Sequence, residues 1–233
     1  MADPYKLSRR DFLKASGMTA ISMALAACAP AQVNTEAPVA NADEALQRLL
    51  EGNQRYVANR STDLNESQSR RAELAKGQSP FATIFSCVDS RVPPELIFDR
   101  GLGDLFVIRT AGQVIDKAVL GSLEFGVAEL KIPLLLVLGH EKCGAVKATI
   151  EAVENNAEAE AEINWLVDGI RPAVEAAKGQ SGDLLDNAVK ANVGLTVERL
   201  KGSPILSEAS NKGELKIVGG RYDLDTGIVE ITS

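Results

Sequence analysis

Two apolar, β-branched runs that each end in polar and sulfur-bearing residues constrain the fold of this chain most strongly. The first run, FATIFSCVDSR, covers residues 81–91, and the second, LLLVLGHEKCG, covers residues 134–144. Continuous apolar runs of this length are typical of parallel strands that are buried on both faces. Because sites in open α/β sheets form at the carboxyl ends of the strands, we expect the ends of these two runs to meet.

The residues at the two run ends form a candidate set of metal ligands. Cys87 ends the first run, while His140 and Cys143 end the second, and His140 is the only histidine of the chain. Thiolate and imidazole are ligands that zinc prefers, and three protein ligands with one exchangeable position is the pattern of a catalytic zinc site. The wide spacing between Cys87 and His140 argues against a zinc finger, whose ligands lie on one local hairpin and helix.

The overall composition excludes several classes of partner. The chain has 25 Lys and Arg against 32 Asp and Glu, a net charge of −7. Binding to nucleic acid or to an anionic membrane surface requires clustered cations. Aromatic residues make up only 4% of the chain, which disfavours a platform for stacked bases. We therefore predict no nucleic-acid partner.

The N-terminus has the order of an export signal. A basic pair, Arg9-Arg10, precedes an uncharged apolar stretch over residues 15–27. This stretch is too short to cross a bilayer and has the length of a signal-peptide core. The basic pair resembles a twin-arginine signal, and the LAAC sequence ending at Cys28 resembles a lipobox, in which this cysteine is lipidated. Ordinary signal-peptidase cleavage near residues 27–31 is the alternative.

These features divide the chain into three parts. Residues 1–27 are predicted to be the signal peptide, residues 28–42 a flexible tether with two prolines, and residues 43–233 the zinc domain. Removal of the signal deletes four basic and two acidic residues, which leaves 21 against 30 and a net charge of −9. We expect the mature protein in the periplasm or at the cell surface, with its lipid as the only membrane contact.

Apolar periodicity predicts a single α/β domain. The fold class is a mostly parallel central sheet flanked by helices, with antiparallel edge strands near the C-terminus. Asp43 is the predicted cap of the first helix, and Gly139 is the predicted turn that presents His140. The predicted strands cover residues 81–86, 104–109, 132–138, 215–222 and 227–232. The predicted helices cover residues 45–60, 67–76, a short helix opened by Pro93 or Pro94 and ending at Phe98, 116–131, a helix from about 144, and 151–201 with an acidic patch at about 154–162.

The paired motifs Cys-x-Asp-x-Arg and His-x-x-Cys-Gly resemble those of the β-class carbonic anhydrases. The resemblance extends over about residues 43–232 and includes several further segments. These are EGNQRYV (51–57), GQSP (77–80), GDLFVIRTAGQV (103–114), SLEFGVAELKIP (122–133), GHEKCGAV (139–146) and YDLDTG (222–227). The resemblance implies an enzyme that reversibly hydrates CO2 to bicarbonate and a proton through a zinc-bound hydroxide.

The resemblance also implies roles for individual residues. The zinc ligands are Cys87, His140 and Cys143, with one Zn²⁺ per subunit. Asp89 is either a fourth ligand in a closed form or a partner of Arg91 in an open form, and both residues are catalytic.

Substrate-binding residues follow from the same resemblance. Gln78, Phe106 and Gly144 contact CO2 or bicarbonate, in part across a subunit interface, which implies a homodimer or a higher even oligomer. Phe125 departs from many plant-type members, which carry tyrosine, and Ala111 is smaller than the branched residue found in others.

Two alternatives remain at this point. Cys87 and Cys143 could form a disulfide in an oxidising compartment, which would make the domain a metal-free binding module. The zinc site could instead hydrate a related substrate, CS2 or COS, because the sequence says little about the shape of the pocket.

Overall fold

The computed structural model describes residues 37–62 and 65–232. The predicted signal peptide, Cys28 and the tether up to residue 36 lie outside the described residues. Residues 37–40 have no regular structure, and the first helix begins at Ala42. Among the described residues, no helix combines the length and the apolar character needed to cross a membrane.

A five-stranded sheet forms the centre of the domain, as predicted. Its strands are β1 (Ala82–Ser86), β2 (Leu105–Arg109), β3 (Leu134–His140), β4 (Lys216–Tyr222) and β5 (Val229–Ile231). The spatial order is β2-β1-β3-β4-β5. The first four strands are parallel, and β5 pairs antiparallel with β4 through a tight connection. The predicted fold class is therefore confirmed.

Helices cover both faces of this sheet. They are α1 (Ala42–Val57), α2 (Gln68–Leu74), α3 (Pro94–Ile97), α4 (Lys117–Ala128), α5 (Gly144–Glu154), α6 (Ile163–Ala177), α7 (Leu184–Lys201) and α8 (Pro204–Asn211). Pro94, one of the two prolines predicted to open this helix, is the first residue of α3, because proline lacks only a donor that the first turn leaves unpaired. Asp116 caps α4 through a 2.7 Å hydrogen bond to the N–H of Val119.

The alternation of side chains along β3 explains why this strand is apolar throughout. Leu134, Leu136 and Leu138 pack into the core on the side of α1 and α3. Leu135 and Val137 pack into the core on the side of α4, α7 and α8. Because both faces are covered, each residue of the strand is buried. This rigid central strand carries His140 at its end.

Two local predictions are wrong for identifiable reasons. The first helix is capped by Asn41, whose side chain accepts the N–H of Glu44 at 3.0 Å, so Asp43 lies within the first turn. Gly139 lies in β3 and not in a turn. A Cβ atom there would lie 2.5 Å from Val193, so glycine is needed for the close approach of α7.

The predicted continuous helical region over residues 151–201 is also wrong in detail. The chain leaves helical structure after α5, and the acidic residues 155–162 precede α6 as an irregular connection. Asn156 and Ala161 have positive φ angles in this connection. The helix propensity of alanine and glutamate is therefore outweighed by the need to reverse the chain and pack α6 against α5.

Candidate metal centre

Two neighbouring strands carry the predicted ligands to one edge of the sheet. Strands β1 and β3 pair in parallel, with Ser86 in register with Leu138. Cys87 directly follows β1, and His140 is the last residue of β3. Cys143 follows shortly after as the N-cap of α5. One strand end therefore delivers the first ligand, and the adjacent strand end delivers the other two.

The side chains of Cys87, His140 and Cys143 converge in a buried cluster. Their ligand atoms all lie within 4.8 Å of one another, in the only such group among residues 37–62 and 65–232. His140 is fully buried, and the two cysteines are 4% and 2% exposed. Both cysteines are free thiols, so the structure does not contain the disulfide that was considered as an alternative.

The imidazole of His140 is oriented so that one nitrogen is available to a metal ion. Its Nδ1 lies 2.9 Å from the carbonyl oxygen of Glu141, and we assign the proton to Nδ1 because a carbonyl can only accept. Nε2 is then an acceptor, and it is buried without a hydrogen-bond partner. Buried polar atoms normally have a partner. Two sulfurs and this nitrogen are a donor set that fits Zn²⁺.

The two thiols share one proton. A hydrogen bond with Cys143 holds the pKa of Cys87 well below the usual range of a cysteine, against the opposing effect of burial. The same hydrogen bond, together with burial, raises the pKa of Cys143. Two thiolates at this separation repel each other, so the first proton leaves easily and the second leaves with difficulty. A bound cation would favour ionisation of both.

Asp89 is held by Arg91 beside this cluster. The guanidinium donates to both carboxylate oxygens, through Nε at 2.9 Å and Nη2 at 2.7 Å. This hydrogen bonding lowers the pKa of Asp89 to about 2. Its Oδ2 lies 3.8 Å from Nε2 of His140. The carboxylate is therefore close to the cluster but engaged by Arg91, which is the second of the two predicted arrangements.

Another arginine fixes the loop that carries Cys87 and Asp89. The guanidinium of Arg109, at the end of β2, donates to three main-chain carbonyls of this loop. The acceptors are Cys87 at 2.8 Å, Asp89 at 2.7 Å and Val92 at 3.2 Å. A buried carbonyl without a donor costs free energy, and here one cation satisfies three of them. Arg109 therefore determines the path of the loop.

Comparison with known proteins agrees with this geometry. A sequence profile of the family described as "Carbonic anhydrase" matches residues 82–229, which include all three clustered ligands. The solved structure of the β-carbonic anhydrase CcaA superimposes with a TM-score of 0.65 and 28% identity, over 81% of this chain and 95% of that chain. The chain belongs to the β-carbonic anhydrase family.

Curated relatives show the same membership with higher identity. The chain is 44% identical over 191 residues to "Carbonic anhydrase 2" of Mycobacterium tuberculosis, which covers 82% of this chain and 92% of that protein. It is 40% identical over 197 residues to a carbonic anhydrase of Mycolicibacterium smegmatis, which covers 84% and 96%. This β-carbonic anhydrase is therefore an enzyme, and the comparisons support CO2 hydration as its activity. The interpretation as a metal-free binding module is wrong.

The N-terminal prediction is supported by a second match. A profile of the twin-arginine translocation signal sequence matches residues 6–26, which contain the Arg9-Arg10 pair. This match supports export of this β-carbonic anhydrase from the cytoplasm.

The predicted substrate-binding residues of this β-carbonic anhydrase lie at different ends of the sheet. Gly144 follows Cys143 directly, and the space around its Cα is open. Gln78 is exposed ahead of β1, whereas Cys87 follows the other end of that strand. A strand of five residues separates the two by roughly 16 Å. Phe106, half-buried on β2, also lies towards the amino ends of the strands. One chain therefore brings only Gly144 to the cluster.

Sequence reasoning assigned no role to several residues around the cluster. Arg109 lies in a segment that resembles the family, but its contacts with the Cys87 loop were not foreseen. Gln113 and Asn192 are 3% and 6% exposed and are hydrogen-bonded close to the ligands. The sequence signal that could have identified Gln113 and Asn192 was an amide side chain within an otherwise apolar segment. Such a group is rarely buried without a hydrogen-bond partner.

The shared proton predicts how the stability of the zinc-free β-carbonic anhydrase depends on pH. Because the pKa of Cys87 is lowered to about 4, the unfolded chain binds more protons than the folded chain between that pH and about 8.5, the ordinary pKa of cysteine. The free energy of unfolding should therefore rise as the pH increases towards that value. At higher pH, the raised pKa of Cys143 should make the free energy of unfolding fall as the pH increases. Urea unfolding of the zinc-free protein across this range measures the profile.

The zinc-free Cys87→Ser variant is the control, because it removes the coupled pair and leaves the other titrating groups in place. The stability difference between wild type and this variant should grow as the pH rises towards about 8.5. A difference that does not change with pH would contradict the shared proton.

Proposed function

We propose that this chain is an exported, zinc-dependent carbonic anhydrase that reversibly converts CO2 and water into bicarbonate and a proton. The observation that carries the proposal is the buried cluster of Cys87, His140 and Cys143, in which Nε2 of His140 is buried without a hydrogen-bond partner among the described residues. One Zn²⁺ per subunit would be held by these three side chains. Three protein ligands leave one position of a tetrahedral site for an exchangeable molecule.

In the proposed reaction, the metal would activate water, and side chains of the protein would orient it. Zinc would act as a Lewis acid that makes water a nucleophile near neutral pH. Asp89 stays ionised at neutral pH because Arg91 lowers its pKa to about 2, so its carboxylate acts as a hydrogen-bond acceptor. Arg91 binds both oxygens of Asp89 and thereby keeps it from becoming a fourth ligand. These two residues orient the reacting water and keep the site open.

Substrate would be bound by residues from two subunits. Gly144 presents no side chain next to Cys143, so a small molecule can approach the cluster there. Gln78 and Phe106 would reach the site from a neighbouring subunit, since each lies away from the cluster of its own chain. The chain contains one histidine, which serves as a ligand, so the product proton must leave through water, carboxylates or buffer.

Stopped-flow CO2 hydration, with zinc content determined on the same sample, tests this function. We expect one zinc per chain and a rate that rises with pH and with buffer concentration. Cys87→Ser should lose zinc and activity together, because it removes one of three ligands.

Arg91→Met separates metal binding from turnover in the same assay. It should retain zinc, because none of the three ligands is changed, but lose most of the activity at neutral pH because Asp89 is released 3.8 Å from His140. Arg171→Met is the control, since Arg171 forms an exposed ion pair with Asp168 on α6, outside the segments that carry the candidate ligands. Full zinc occupancy without CO2 hydration in the wild type would refute the proposed substrate.

The division of the substrate site implies a homo-oligomer, a dimer or a higher even assembly. Strand β2 lies at the edge of the sheet, and Phe125 on α4 is 50% exposed. An unpaired strand edge beside an exposed apolar side chain is a surface on which a second copy can pack.

Sedimentation equilibrium should give a mass of at least two chains. Phe125→Glu should lower the mass and the activity while Phe125→Tyr changes neither; a fully active monomer would contradict this arrangement.

A lipid on Cys28 would anchor the mature enzyme to a membrane after export. The support is the LAAC sequence over residues 25–28, which overlaps the end of the twin-arginine match over residues 6–26 and places Cys28 just after it. Cell fractionation should find the wild type with membranes and Cys28→Ser in the soluble extracytoplasmic fraction. Ala31→Ser is the matched control. An unchanged distribution for Cys28→Ser would show that ordinary cleavage releases the protein.

A further inference from the structure

A backbone amide touches the sulfur of one candidate ligand. The N–H of Gly112 donates to Sγ of Cys87 at 3.4 Å, within hydrogen-bond range for sulfur. Gly112 lies in the short 3₁₀ turn Ala111–Gln113, which connects β2 to α4. An N–H···S hydrogen bond restricts where the sulfur can lie and favours the negative charge of a metal-bound thiolate.

The peptide of Gly112 is fixed from two sides. Its φ angle is +61°, and a Cβ atom there would lie 2.4 Å from Ile170, so only glycine fits this conformation. Its carbonyl oxygen accepts a hydrogen bond from Nδ2 of Asn192 at 2.7 Å. Asn192 lies on α7, a helix that packs against the central sheet, and its side chain is buried. This carbonyl belongs to the peptide between Gly112 and Gln113, so Asn192 holds the turn on the C-terminal side of Gly112 and thereby limits how far the Gly112 N–H can move away from Cys87.

The same turn is tied to the strand that carries His140. Nε2 of Gln113 donates to the main-chain carbonyl of Leu138 at 2.6 Å. Oε1 of Gln113 lies 3.4 Å from Nδ2 of Asn192, so the two amides form one network. Leu138 lies near the end of β3, just before His140. The network therefore contacts both ligand-bearing segments. It contacts the sulfur of Cys87 through the Gly112 N–H and the backbone of β3 through the Gln113 side chain.

Such a network is not what packing alone would favour. Asn192 is flanked on α7 by buried apolar residues such as Val189 and Val193, where a leucine would fill the space without a polar group to satisfy. Burying an amide is costly unless each donor and acceptor is paired. Within residues 37–62 and 65–232, the side-chain hydrogen bonds of Asn192 and Gln113 go to the turn that contacts Cys87, to each other and to the end of β3.

We propose that Asn192 and Gln113 are positioning residues for the metal, because they hold the Gly112 N–H on the sulfur of Cys87. The inference rests on the proposed zinc function. Loss of either amide should weaken zinc binding by about 10- to 100-fold, the range found when groups that orient metal ligands are removed. The ligands themselves remain in place in such variants.

Competition with a chelator of known zinc affinity tests the proposal. Asn192→Leu and Gln113→Met should each bind zinc about 10- to 100-fold more weakly than wild type. Asn53→Leu is the matched control: Asn53 is equally buried and donates to the carbonyls of Ile97 and Gly227, which lie outside the Gly112 turn and outside the two segments that carry the candidate ligands. It should lower stability without changing zinc affinity.

Cobalt substitution supplies a readout that a purely structural role would not change. The thiolate-to-cobalt charge-transfer band reports the electron density of sulfur, and a donated hydrogen bond stabilises that density. Asn192→Leu and Gln113→Met should shift the band to longer wavelength, whereas Asn53→Leu should not. Gln113→Met changes no residue of α7 and therefore tests the network even where Asn192→Leu folds poorly.

The outcomes separate this inference from the proposed function. A wild type that binds no zinc overturns both. A wild type that binds zinc tightly, with Asn192→Leu and Gln113→Met equal to it in zinc affinity and cobalt spectrum, overturns the positioning role and leaves the proposed function intact.

Discussion

The requirement that two sulfurs and one imidazole nitrogen meet in a buried space dominates this structure. These atoms lie within 4.8 Å of one another, and such a group is stable only when its geometry is imposed by the surrounding fold. Adjacent parallel strands satisfy this requirement, because the carboxyl ends of β1 and β3 reach the same edge of the sheet. The apolar faces of β3 bury the strand on both sides, so its end, at His140, is held by the core.

Two arginine side chains near the cluster fix the loops that follow the strands. Arg109 binds three carbonyls of the Cys87 loop, and Arg91 binds the carboxylate of Asp89 in the same loop. The carbonyl of Lys142, between the two ligands of the other loop, lies 3.5 Å from the Arg91 guanidinium. Positive charge near two sulfurs and a carboxylate lowers the cost of placing these groups together. The strands therefore bring the two loops together, and these polar contacts fix the conformation of the loops.

The clustering of Cys87, His140 and Cys143 could be predicted from sequence because the signals are local. Cys87 and His140 each end an apolar run, and residue type alone indicates the metal. Other features depend on distant neighbours: Gly139 is a glycine because of Val193, and Arg109 satisfies carbonyls that lie up to 22 residues away in sequence. Asn192 contacts a carbonyl 80 residues away. No pattern within one segment contains such pairs, so the cluster was predictable from sequence and the contacts that support it were not.

The length of the strands explains why one chain does not complete the proposed substrate site. β1 has five residues, and the segment carrying Gln78 precedes it while Cys87 follows it. No rotation of side chains closes roughly 16 Å. The edge strand β2 is only half-buried along its length, and Phe125 on the adjacent helix is exposed. A second copy packed on this edge would bury the same surface that presents Phe106, so assembly and substrate binding would depend on one interface.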